Sequence, residues 1–415
     1  MTWSEQRAEE HLLSLELFGM RFGLERMLRL LTVLGSPQER FAAVHVVGTN
    51  GKSSTVRMTA ALLEAHGVRT GSYLSPHLVR FGERIRIGDE DLSGAAFGAA
   101  VERAAAAAAK VDRTLTGGER VTQFELLTAA ALDELARREV EVAVVEAGLG
   151  GRWDATNVLG AGVCVLTNVG LEHTRWLGPT IPDIAREKLA VVRPSATLVL
   201  GDVDAEVLEL ARQTGARLVR AEPLEVPLRG YQRTNFEVAA AAATEQHGPL
   251  EPAQVAEVAA RVSVPGRLQV VSDAPLTILD GAHNPSGMVA LAAALPDVVG
   301  DRELVAVVSV LDDKDAAGML RALIGKCRAM VFTASRNPRA LPPATLASLA
   351  EQLTQGAARP GEGGGLPTEV VRDPHAAVRR AQELAGPGGA VLATGSIYLV
   401  ADLVGEAAGR RASAL

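Results

Sequence analysis

Short, near-continuous apolar runs recur along the chain, separated by longer stretches in which apolar residues return every three or four positions. The runs AAVHVV (42–47), EVAVVEA (141–147), GVCVLTNV (162–169) and TLVLG (197–201) have the pattern of strands buried on both faces of a parallel sheet. Between them lie Ala- and Leu-rich helical patterns such as 122–139. Strands alternating with helices predict an α/β, doubly wound domain. After a helical region ending near Val262, the segment VPGRLQVVSDAP carries two prolines and a glycine, which reads as a crossing between domains. A second series follows: LTILD (276–280), LVAVVSV (304–310), AMVFTA (329–334) and AVLATG (390–395). The expected organisation is an N-terminal domain over 1–264, a linker over 265–275 and a smaller Rossmann-like C-terminal domain over 276–415. RPGEGGGLP (359–367) reads as a flexible surface loop, and the alanine run in ERAAAAAAK as a surface helix.

Composition narrows the choice of function. A chain of 415 residues with 47% hydrophobic content can build two cores. Its 42 basic and 49 acidic residues give a net charge of −7, which argues against a surface that covers nucleic-acid phosphates. Only Cys164 and Cys327 are present, so no disulfide framework is expected and a reducing, cytoplasmic setting fits. The start, MTWSEQRAEEHLLSLELF, lacks the order of a signal peptide, and no apolar run approaches the ~20 residues that span a bilayer.

VVGTNGKSST (46–55) holds the candidate chemistry. A phosphate cradle needs a strand leading into a tight turn, glycines that let backbone N–H groups face an anion, a lysine for the outer phosphates and a hydroxyl for Mg²⁺. Thr49, Asn50, Gly51, Lys52, Ser53 and Ser54 supply these in order, and VRMTAALLEAHG continues as an amphipathic helix. The full GxxxxGK[ST] pattern is not met, because Val46 stands at the first glycine position. An ordinary polar turn is the competing reading.

Further motifs follow: YLSPHLVRFGERIRI (73–87), TQFE (122–125), VEAGLGGRWDATNV (145–158), TNVGLEHTRWLGPT (167–180), AREKLAVVRP (185–194), PGR (265–267), LDGAHNP (279–285), LDDKD (311–315) and TGSIYLV (394–400). Together with the glycine-rich turn, and in this order, they resemble the folylpolyglutamate synthase and dihydrofolate synthase family of ATP-dependent amide ligases, related more distantly to the Mur ligases. The resemblance runs from about residue 21 to 400. The chemistry is consistent with the residues. Joining a carboxylate to an amine in water requires a leaving group, which ATP supplies as an acyl phosphate. Bringing carboxylate and triphosphate together requires aimed cations, here Lys52 and one or two Mg²⁺.

Glu146, at the end of a buried strand, is a candidate Mg²⁺ ligand; pairing with an arginine such as Arg152 is the alternative. The resemblance implies that Ser75 and His173 join the metal shell, and that Lys188 is carbamylated and becomes an oxygen ligand. For Lys188 the alternative is a surface lysine paired with Glu187 or Asp183. It implies that Asn235, opening a helix, and Arg267 meet the adenosine, and that Asp280 and His283 face the same cleft. It places Thr122, Gln123, Phe124 and Glu125 near the pterin, with Gly151, Arg152 and Asp154 in the neighbouring loop; helix capping and a glycine turn are equally good readings. Three positions depart from the family: Glu172 where Asp is usual before the histidine, EKLAV in place of EKAGI, and Ser53 in place of Gly, so that Ser53 or Ser54 reaches the metal. His77, beside Ser75, orients its loop or touches substrate. The implied activity is addition of L-glutamate to reduced folates and to dihydropteroate, by a monomer that uses ATP and needs neither nucleic acid nor membrane. A Mur-type ligase is the nearer alternative, and a P-loop kinase or regulatory nucleotide-binding protein the more distant one.

Overall fold

The computed structural model describes residues 2–16, 23–355 and 366–405. The first sheet contains β1 (Ala42–Val47), β2 (Thr70–Tyr73), β3 (Ile85–Ile87), β4 (Glu90–Asp91), β5 (Val142–Glu146), β6 (Val163–Leu166), β7 (Thr197–Leu200) and β8 (Arg217–Arg220). The second contains β9 (Gln269–Asp273), β10 (Leu276–Leu279), β11 (Leu304–Val308), β12 (Ala329–Phe332), β13 (Thr368–Val370) and β14 (Ala390–Thr394). Each of the eight apolar runs is a strand. Their continuous apolarity follows from burial on both faces: β1, β5 and β6 run parallel and touching, sandwiched between helices.

The first sheet has the order β4-β3-β2-β5-β1-β6-β7-β8, parallel except at the β3–β4 edge. The chain passes from β1 to β2 on one side and later from β5 across to β6 on the other side of β1, so the crevice beyond the C-terminal end of β1 is a switch point of the kind where α/β sheets bind ligands. One face is covered by helices that include Gly94–Asp112 and Gln123–Arg137, the other by Lys52–Ala65, Tyr231–His247 and Pro252–Arg261. The second sheet, β13-β12-β11-β14-β10-β9, is also covered on both faces.

The segment read as a linker contains β9, an antiparallel edge strand on β10. The passage between the last helix of the first domain and the second sheet is thus residues 262–268. Most of the tract 359–367 and the residues after 405 lie outside the described residues. Both cysteines are free. Among the described residues no helix is long and apolar enough to cross a membrane.

Candidate active site between the two sheets

The C-terminal ends of β1, β5 and β6 face those of β10 and β14 across a cleft of about 430 Å³. On its floor the chain leaves β1 through Gly48, at φ +149°, and Gly51, at φ +83°. Both need glycine: a Cβ on Gly48 would lie 1.8 Å from the Thr167 hydroxyl, and one on Gly51 2.4 Å from Oδ1 of Asn235. Neighbouring strand ends fix the loop. The backbone N–H of Thr49 donates to the Asn168 carbonyl and that of Asn50 to Asn168 Oδ1, both at 3.0 Å, while the Thr167 hydroxyl donates to the Asn50 carbonyl at 2.7 Å. The helix Lys52–Ala65 then begins with its N-terminus toward the cleft, which suits an anion.

Lys52 folds back over this turn and donates to the carbonyls of Gly48 and Thr49, at 3.1 Å each. The Ser53 hydroxyl donates to Glu146, 2.8 Å from Oε2, and the Ser75 backbone N–H donates to the same oxygen at 3.2 Å. Ser53 and Ser75 thus both hold the Glu146 carboxylate, one by its hydroxyl and the other by its backbone N–H. Burial raises the Glu146 pKa, while the Lys52 charge and its two hydrogen bonds oppose the shift. Ser54 also lines the cleft, and its buried hydroxyl has no partner. Arg152 does not pair with Glu146; it is exposed and lies 3.5 Å from Glu187.

Lys188 is not a surface residue. It is 2% exposed, and its Nζ donates to the carbonyls of Gly48, at 2.8 Å, and Leu149, at 3.2 Å. Burial, aided by the Lys52 charge, lowers its pKa to about 7. Although it does not line the open cleft, it lies directly beneath the phosphate-type loop. His173, in a left-handed conformation at φ +52°, lines the cleft, and burial lowers its pKa to about 4. Among the described residues no three His, Cys, Asp or Glu side chains cluster as a metal cage.

The second domain reaches this loop directly. Asn284 and Asn50 exchange side-chain hydrogen bonds at 3.0 and 3.3 Å. Glu172 is the centre of a wider cross-domain cluster, with His283 Nε2 and Lys314 Nζ both 3.2 Å away and Asn284 Nδ2 donating at 3.0 Å. These partners hold the Glu172 carboxyl far below its ordinary range in spite of its burial. Lys314 belongs to LDDKD, a motif visible in the sequence without a role attached. Asn235 does not open its helix; it lies in the second turn of Tyr231–His247, with its buried Nδ2 unpartnered. Arg267, Asp280 and His283 line the cleft, and Asp280 is also a joint, accepting from Tyr231 of the first domain and from the backbone N–H groups of Leu268 and Ala282.

Of TQFE only Phe124 faces the cleft. Thr122 and Glu125 form a capping box, Glu125 pairs with Arg26 at 3.1 Å, and Gln123 donates to the Leu12 carbonyl at 2.7 Å. Asp154 ties its loop by accepting from the backbone N–H groups of Gly150 and Thr156, and Gly151 packs on the Glu187 carbonyl. These groups shape the wall on which Phe124 stands without lining the cleft themselves.

With this geometry in view, comparison with known proteins is specific. Residues 266–397 match the Mur ligase, glutamate ligase domain. A dihydrofolate synthase/folylpolyglutamate synthase of Mycobacterium tuberculosis is 36% identical over 366 residues, covering 77% of this chain and 75% of that protein. The structure of Mycobacterium tuberculosis folylpolyglutamate synthase complexed with ADP superposes with a TM-score of 0.86 at 31% identity, over 96% of this chain and 97% of that one. A bifunctional folylpolyglutamate synthase/dihydrofolate synthase from Yersinia pestis, with Mn, AMPPNP and L-glutamate bound, superposes with a TM-score of 0.82 at 30% identity, over 96% and 97%. The two-domain fold and its interdomain cleft define an ATP-dependent ligase. Within that class, the chain belongs to the folylpolyglutamate synthase and dihydrofolate synthase family.

Proposed function

We propose that this chain adds L-glutamate to the γ-carboxylate of reduced folates and to the carboxylate of dihydropteroate, through an acyl phosphate formed from ATP. The observation that carries the reading is the convergence, at one cleft, of a phosphate-type loop, the Glu146 carboxylate held by Ser53 and Ser75, and a glutamate-ligase domain. The loop 48–53 and Lys52 hold the triphosphate. An acceptor carboxylate oxygen attacks the γ-phosphorus, the bond to ADP breaks, and the glutamate amine then displaces phosphate from the acyl carbon, losing a proton as the amide forms. Lys52 answers the charge on the transferring group. His283 and Arg267 extend the same polar wall from the second domain and the crossing, and Asn235 lies where the loop meets the nucleotide. Closure of the second domain over the loop, through Asn50–Asn284 and Glu172–His283, excludes water that would hydrolyse the acyl phosphate.

The donor set fits a hard divalent cation such as Mg²⁺, because the Glu146 carboxylate and the serines that hold it, Ser53 by its hydroxyl and Ser75 by its backbone N–H, all line the cleft. Such an ion would be held by these residues and His173, and would neutralise phosphate charge. Ser53, rather than Ser54, is the hydroxyl already turned toward Glu146. Lys188 is read as a carbamate: a neutral amine adds to carbon dioxide, forms an N–C bond and releases a proton, and burial makes the neutral amine available near pH 7. Pterin recognition falls to the Phe124 wall and the loops that Thr122, Gln123, Glu125, Gly151, Arg152 and Asp154 brace.

The test is incorporation of labelled glutamate, with ATP and Mg²⁺, into dihydropteroate and into tetrahydrofolate separately. Product from both is expected. Extension of tetrahydrofolate alone would remove the dual role, and label entering a UDP-muramoyl acceptor would favour a Mur-type enzyme.

A further inference from the structure

One buried cation at the cleft has no role in the chemistry above. Arg84 ends the 3₁₀ turn Phe81–Arg84, is 1% exposed and lines the cleft. Its Nε donates to Nδ1 of His77 at 2.9 Å, and its guanidinium lies 5.2 Å from the centre of the Phe81 ring. Nη2 has no hydrogen-bond partner, and among the described residues no carboxylate forms an ion pair with Arg84. An arginine keeps its charge under all ordinary conditions, so the fold holds a desolvated cation that Glu146 and Glu83 attract only from beyond ion-pair distance, an arrangement that costs stability unless an anion arrives.

His77 is the support for this group. Its ring packs 4.3 Å from that of Phe81 and is 5% exposed. Because the guanidinium can only donate, Nδ1 of His77 must accept and its proton must sit on Nε2. The Glu83 carboxylate forms no ion pair with Arg84; its two oxygens accept from the backbone N–H groups of Leu78, Val79 and Arg80.

Resting on the ligase reading, we propose that Arg84 binds a substrate carboxylate at the cleft, with His77 as its positioning residue. The planar fork of a guanidinium matches a carboxylate, while the triphosphate already has the loop 48–53 and Lys52. The location favours the acceptor. Arg84 belongs to the first-domain wall that also carries Phe124 and Ser75, beside Tyr73, whose ring lies 6.3 Å from that of Phe124. Glutamate carries the same chemical group, and the test separates the two sources.

The full-length Arg84→Gln and Arg84→Lys variants are compared with the wild type for ADP affinity by calorimetry, for KM toward acceptor and toward glutamate, and for binding of an acceptor against its carboxamide analogue. The expected result is ADP affinity within about twofold of wild type, acceptor KM raised roughly 10- to 100-fold in Arg84→Gln, partial recovery in Arg84→Lys, and loss of the preference for carboxylate over carboxamide. His77→Asn should move the acceptor KM in the same direction by less. A rise confined to the glutamate KM would keep the carboxylate role and assign it to glutamate. If kcat falls with both KM values unchanged, or the wild type binds carboxylate and carboxamide equally, the proposal is overturned. If Arg84→Gln does not fold, the wild-type discrimination and Arg84→Lys decide the matter. A wild type that ligates glutamate to no acceptor but still prefers the carboxylate would sink the ligase reading and leave Arg84 standing.

Discussion

Lys188 shows how a single side chain separates the information in a sequence from that in a fold. The sequence places a lysine in a helix beside Glu187 and Asp183, and a surface ion pair is the simplest expectation from those neighbours alone. In the structure Asp183 pairs with Arg186, Glu187 lies by Arg152, and the lysine turns inward to two carbonyls. Nothing local encodes that turn. It depends on Gly48 and Leu149, which come from the turns after β1 and β5. Lys188→Ala should lose ligation by roughly 100-fold or more if its carbamate supplies a metal ligand, and short carboxylic acids added to the variant should restore part of it. A variant with near wild-type rates, or one that no carboxylate rescues, would remove the carbamate. Glu172 makes the converse point: the departure from Asp is visible in the sequence, but the reason for a longer reach is visible only once His283 and Lys314 stand across the cleft.

Elements were legible where burial dictates composition. β1, β5, β6, β7, β10, β11, β12 and β14 are continuous apolar runs because helices cover both of their faces. β2 escapes that rule although it lies inside the sheet: TGSY is small and hydroxylated, and Gly71 makes room for Leu135 and Val140. β3, β4, β8, β9 and β13 lie at or near sheet edges, where short strands with polar positions carry little signal. TQFE was legible as a helix start, which its capping box explains, but three of its four side chains serve the helix and its packing rather than the cleft. The turn after β1 was the clearest element, because only glycine fits Gly48 and Gly51. Gly48→Ala should lower stability by about 1–3 kcal/mol, since the new Cβ meets Thr167 and the backbone is left-handed, and it should weaken ADP binding at least tenfold. Calorimetric ADP titration alongside thermal unfolding checks this; unchanged ADP affinity would show that the loop is not the phosphate site.

At the scale of the molecule, the two domains are linked by residues that no single-segment reading would join. Tyr231 and Asp280, Asn50 and Asn284, and Glu172 with His283 and Lys314 lie 49 to 234 positions apart in the sequence. Motif order pointed to the family, yet the residues that close the cleft follow from topology, which brings the strand ends of one sheet opposite those of the other. The proposed ligation turns on activation of the acceptor by ATP, as an acyl phosphate, inside this cleft. It is tested most directly with an acceptor whose reacting carboxylate carries ¹⁸O, incubated with ATP, Mg²⁺ and L-glutamate. With both carboxylate oxygens labelled, one ¹⁸O atom is expected to pass to inorganic phosphate for each amide formed. Amide product accompanied by phosphate free of ¹⁸O would contradict it.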